Sequence, residues 1–139
     1  MRRLALLVLA LAAAGCGGSG PKPEHATLTD VHVRPRSVEF TFDSEPRQVR
    51  ARWWPLRTIG ECGSGLPVRP QGQAVLLVSF RPAQTHEVPR RIVMPSGPVG
   101  EADKVCDFEA EVGWALGIER RLPFHVSRDG AKVTGTFDG

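Results

Sequence analysis

From Phe108 to Leu116 every second residue is apolar (Phe108, Ala110, Val112, Trp114, Leu116), with Glu109, Glu111, Gly113 and Ala115 between them. Successive side chains of an extended chain point to opposite sides of a sheet, so this is the period of a strand with one buried face. Shorter stretches repeat the pattern. Val31 and Val33 alternate within Thr27 to Val33, and Val38, Phe40 and Phe42 alternate with Ser37, Glu39 and Thr41. Val49, Ala51 and Trp53 oppose Arg50, Arg52 and Trp54, and Pro55 closes that run. Gln73 to Phe80 is nearly all apolar, as expected of a central strand covered on both faces.

Turn chemistry separates these runs. Asp43-Ser44-Glu45-Pro46 divides two of them, and Ile59 to Gly72 is a loop rich in Gly and Pro. The prolines between Pro82 and Pro98 limit that stretch, including Ile92-Val93-Met94, to loop and edge strand. Phe124 to Ser127 and Lys132 to Phe137 form a hairpin joined through Asp129-Gly130, a pair suited to a type I′ turn. Only around Asp103 is there any hint of a helical period. The pattern predicts an all-β chain, an antiparallel β-sandwich of about seven or eight short strands.

The chain opens with Met1-Arg2-Arg3, an apolar run from Leu4 to Ala14, and Ala13-Ala14-Gly15-Cys16. The run spans roughly 16 Å as a helix, too short for a bilayer core, so residues 1–15 read as a cleaved signal peptide. Small residues followed at once by cysteine resemble the lipobox of bacterial lipoproteins. That resemblance implies lipidation of Cys16 and export to the outer face of the bacterial cell membrane, with the membrane reached only through diacyl chains. Residues 16–25 then form the lipidated cysteine and a flexible Gly-Ser-Pro linker, and residues 26–139 the folded domain.

Loss of Arg2 and Arg3 lowers the formal charge from +3 to +1, which removes the case for nucleic-acid binding from a basic balance. Of the remaining cysteines, Cys62 lies in the loop before the all-apolar strand and Cys106 just before the Phe108 run. An oxidising exported compartment favours a disulfide between them; two buried free thiols are the alternative.

Asp107-Phe108-Glu109, Val112-x-Trp114-x-Leu116-Gly117-Ile118 and Arg120-Arg121-Leu122-Pro123-Phe124-His125-Val126, together with Ser37 to Asp43, resemble the AMIN-like domains of actinobacterial lipoproteins. The likeness runs from about Ala26 to Asp138. It implies a compact β-sandwich related to the domains that place cell-wall amidases in the envelope by binding peptidoglycan.

No motif for catalysis stands out. Gly60 to Gly65 is glycine-rich but lacks the lysine and helix of a phosphate cradle. The histidines His25, His32, His86 and His125 have no metal-ligand spacing, no serine sits in a nucleophile turn, and no cofactor or metal is expected. Asp107, Glu109 and Glu111 recur at alternate positions; on one strand they form either a titrating carboxylate row or a solvated polar face. Trp54, if outside the core with Arg50 and Arg52, offers a ring for a sugar and guanidinium donors for carboxylates; a covering loop or sheet is the alternative. The expected function is a non-catalytic, lipid-anchored binding module for peptidoglycan or another cell-wall glycan. The alternatives are an accessory lipoprotein that docks on an envelope protein and, remotely, a small carboxylate hydrolase.

Overall fold

The computed structural model describes residues 24–139, so the expected signal peptide, the expected lipidation site Cys16 and most of the expected linker lie outside the described residues. The described chain forms twelve strands: β1 (Ala26–Arg34), β2 (Ser37–Phe42), β3 (Gln48–Trp54), β4 (Ile59–Gly60), β5 (Pro67–Val68), β6 (Ala74–Arg81), β7 (Ala83–Thr85), β8 (Arg91–Val93), β9 (Val99–Phe108), β10 (Glu111–Ile118), β11 (Phe124–Asp129) and β12 (Lys132–Phe137). The fold is all-β, as the alternation predicts. Four of the extra strands, β4, β5, β7 and β8, are two or three residues long and escape a periodicity that needs at least four.

Two five-stranded sheets carry the architecture, in the orders β11-β12-β2-β1-β7 and β3-β6-β10-β9-β8. Pairing is antiparallel except between β1 and β7, where Ala26 to Leu28 run parallel to Ala83 to Thr85. The chain crosses from the second sheet to the first between β6 and β7, at a cis Arg81–Pro82 bond. Both sheets supply the core between them: Leu28, Val38, Phe40, Val133 and Phe137 from the first, Leu76, Phe80, Trp114 and Leu116 from the second. Phe80 contacts Phe40 and Phe42 with ring centroids 4.9 and 4.8 Å apart, and the Phe40 ring lies 6.0 Å from Trp114. Tilted and edge-on pairs of this kind add about 1 kcal/mol each to the burial of the rings.

The Phe108–Leu116 alternation turns out to run across a hairpin. β9 ends at Phe108 and β10 begins at Glu111, with Phe108 paired to Glu111. Glu109 and Ala110 make the two-residue turn, at φ 48° and 61°, the signs of a type I′ connection. Phe108 is therefore not core but 54 % exposed. An alternating pattern survives such a turn because two residues preserve the phase, so the sequence hides it. The expected hairpin at Asp129-Gly130 is also shifted by one residue. Asp129 pairs with Lys132, the loop is Gly130-Ala131, and Gly130 alone has positive φ (57°), as at the first central position of a type II′ turn.

The Gly/Pro-rich loop is folded back on the sheet. Val75, Val105 and Ala115 form a second apolar cluster with Ile59 from the loop, and Trp54, Val68 and Leu77 pack around it. The β4–β5 hairpin and the Pro70–Gly72 segment lie over the outer face of β9 and β10. A Cβ on Gly117 would meet the Gln71 carbonyl at 2.0 Å. The Cys62–Cys106 disulfide is formed and ties this cover to β9. Hence β10 is buried along almost its whole length on both faces.

Candidate functional site

Where the cover ends, the outer face of the second sheet is left open along β3 and the near end of β6. Strand alternation puts Val49, Ala51 and Trp53 against the core and turns Gln48, Arg50 and Arg52 outward. Register then fixes their neighbours on β6: Gln48 lies opposite Arg81, Arg50 opposite Ser79 and Arg52 opposite Leu77. These six residues and Glu111 line a shallow trough of about 220 Å³. Three guanidinium groups thus share one face. Arg81 is ion-paired with Glu111, whereas Arg50 and Arg52 have no carboxylate partner among the described residues. Ser79 and Gln48 add neutral hydrogen-bonding groups to the trough. Of this set, sequence reasoning named Arg50 and Arg52; Arg81, Gln48 and Ser79 depend on the β3–β6 register.

Trp54 lies on the outer side, as alternation requires, but it is half-buried. It packs against the cluster of Ile59, Val75, Val105 and Ala115, and its Nε1 donates to the Thr58 carbonyl at 3.2 Å. The Arg52 guanidinium carbon stands 4.9 Å from the Trp54 ring centroid, so that ring face already holds a cation. Trp54 is thus a brace that positions Arg52, and is not an open platform for a sugar.

The expected row of Asp107, Glu109 and Glu111 does not exist, because the hairpin turn divides it. Asp107 is on β9, where it accepts a hydrogen bond from Thr85 and lies 3.5 Å from Lys104 Nζ. Glu109 is in the turn, and Glu111 faces Arg81 on β10. Asp107 and Glu111 line separate concavities. The carboxylates that do come together are Glu101 and Asp103, two positions apart on β9 and only 1 % and 6 % exposed. Arg91 Nε, on the edge strand β8, is 2.6 Å from Glu101 Oε1 and 3.9 Å from Asp103 Oδ1. The Gln71 amide also donates to Glu101, at 3.1 Å. Burial pushes the Asp103 carboxyl up to about 7, and the neighbouring Glu101 acts in the same direction. The only signal of this pair in the sequence is acidic residues at alternate positions, Glu101 and Asp103, flanking Ala102 after Val99-Gly100.

Cys62 and Cys106 flank a second concavity with Glu61, Arg90 and Lys104, in which Arg90 is ion-paired with Glu61. The histidines stay apart: His125 pairs with Asp138 at 2.7 Å, and His86 lies 3.9 Å from Glu87. Among the described residues no group of three or more His, Cys, Asp and Glu is placed to hold a metal ion. Comparison with protein-family models, curated proteins and solved structures finds no match to this chain.

Proposed function

We propose that this is an exported, lipid-anchored, non-catalytic module that binds anionic cell-wall glycan through the arginine trough of β3 and β6. The observation that carries the reading is the pair Arg50 and Arg52, outward-facing, adjacent to Arg81 and free of carboxylate partners among the described residues. Guanidinium groups match carboxylates and phosphates bidentately, and unpaired ones on a rigid strand need little reordering to do so. The AMIN-like motifs and the lipobox around Cys16 support the same placement in the envelope, with peptidoglycan peptide carboxylates as the first candidate ligand.

Co-sedimentation of the full chain with purified sacculi tests it. The wild type is expected in the pellet, and the double variant Arg50→Gln/Arg52→Gln in the supernatant. Equal sedimentation of the two proteins removes the trough from the reading.

A second reading, an accessory protein that docks on another envelope protein, is favoured by β11. It is an edge strand exposed along nearly its whole length, with Val126 39 % exposed, and such edges accept an added strand. Pull-down of one defined partner without affinity for sacculi is its signature. A hydrolase reading retains no support from the Asp107, Glu109 and Glu111 set.

A further inference from the structure

The trough does not end at Arg52. Trp54, on which Arg52 rests, also borders a third concavity beyond the end of β3, lined by Arg57, Arg120 and Arg121 among others. β3 directs Arg50 and Arg52 outward about 7 Å apart, and its continuation past Pro55 brings Arg57 to the same edge. The loop after β10 supplies Arg120 and Arg121 from the other side, with Arg121 lying 6.0 Å from the Trp53 ring. The trough with Arg81, Arg50 and Arg52 therefore adjoins the concavity with Arg57, Arg120 and Arg121 where Arg52 rests on Trp54. Two carboxylates accompany them, Glu111 on Arg81 and Glu119 on Arg120. Arg57 is held by the Gly72 carbonyl at 3.1 Å, which orders it without neutralising it.

We infer that this arginine track binds an extended polyanion with a phosphate on each repeat, and that the trough is one segment of that longer site. This rests on the reading of the trough as a surface for anionic cell-wall glycan, and names a phosphate-bearing wall polymer, in place of peptidoglycan peptide carboxylates, as its occupant. A single small carboxylate engages at most two or three of these side chains, whereas a linear chain with an anion about every 7 Å matches the strand spacing of Arg50 and Arg52 and is long enough to reach the arginines beyond Trp54. The track argues against nucleic acid as the occupant. Base recognition of single strands relies on open aromatic faces; here Trp54 is half-buried with Arg52 on its ring, and Trp53 packs against Phe124 at 5.7 Å. A phosphodiester-linked wall polymer has the charge without the bases.

The test uses the full chain and two probes of one chemistry, tripolyphosphate and long-chain polyphosphate, with binding followed by calorimetry across a salt series. The long probe is expected to bind at least about tenfold more tightly per chain, with a steeper salt dependence, because linked anions engage both segments at once. Arg120→Gln/Arg121→Gln is expected to abolish that advantage and leave tripolyphosphate binding unchanged. Arg50→Gln/Arg52→Gln weakens both probes, and Arg34→Gln, off the track, changes neither. Equal affinity for the two probes, or insensitivity of the long one to Arg120→Gln/Arg121→Gln, overturns the track while leaving the trough standing. Insensitivity of both probes to Arg50→Gln/Arg52→Gln overturns the trough as well. A single-stranded oligonucleotide that binds more tightly than polyphosphate of equal charge shows base recognition and overturns the assigned class.

Discussion

The carbonyl oxygen of Gln71 occupies the place where a side chain on Gly117 would begin, 2.0 Å from an ideal Cβ. This close approach lets the Pro70–Gly72 segment lie flat on β10 and donate the Gln71 amide to buried Glu101. Gly117→Ala must push backbone away from backbone, and the cover loop lifts. We expect a loss of about 3 kcal/mol or more, measured by urea unfolding. A change below 0.5 kcal/mol would mean that the cover is not seated on the sheet.

The disulfide holds the other side of the same cover. Its cysteines are 44 residues apart in sequence, and in the chain-entropy model closing such a loop stabilises by about 4 kcal/mol. Reduction, or Cys62→Ser/Cys106→Ser, should lower the melting temperature by many degrees and increase protease cleavage between Ile59 and Gly72. Unchanged melting and cleavage in reductant would place the stability of the cover elsewhere.

Asp103 gives a pH dependence of definite sign. Its carboxyl rises from 3.8 in the unfolded chain to about 7 in the folded one. Between those values the folded protein keeps a proton that the unfolded chain has lost. The contribution is therefore full below about pH 4, declines as pH rises, and is gone above about pH 7. Arg91, Arg90 and Glu101 are the charged groups facing it. Asp103→Asn should remove this slope and leave the variant more stable than wild type at pH 8, by on the order of 2 kcal/mol. Denaturation midpoints for both proteins at pH 4, 6 and 8 decide it: parallel profiles reject the assignment.

Glu109 and Ala110 hold positive φ without being glycine, a conformation that L side chains resist. The Ala83 amide fixes the turn by donating to the Ala110 carbonyl at 2.8 Å. Ala110→Gly should stabilise the fold by about 0.5–1 kcal/mol, visible as a higher melting temperature. Gly130→Ala, at φ 57°, should act in the opposite direction by a similar amount. A destabilised Ala110→Gly variant would indicate that the turn is not held in this conformation.

Much of the scaffold is legible in the residues alone, because the period of two belongs to the backbone and needs no partner to be recognised. Val38-x-Phe40-x-Phe42 and Val49-x-Ala51-x-Trp53 are strands wherever they are placed, and their apolar members line the core. The same periodicity misleads at Glu109-Ala110, where a two-residue turn keeps the phase and one apparent strand is two. It also fails on β9, where Glu101 and Asp103 look like a solvent face until a loop distant in sequence covers them.

Local patterning is enough for the all-β class, most strand positions, the pairing of Cys62 with Cys106 as the expected disulfide, and the placement of Arg50 and Arg52 on the face opposite Val49, Ala51 and Trp53. Tertiary structure alone decided that Arg81 and Ser79 stand beside those arginines, that Arg52 takes the face of Trp54, and that two carboxyls are buried against Arg91. Alternation along one strand is local, fixed by the geometry of each successive residue. Register between strands, and the descent of a covering loop, depend on contacts between residues far apart in the chain.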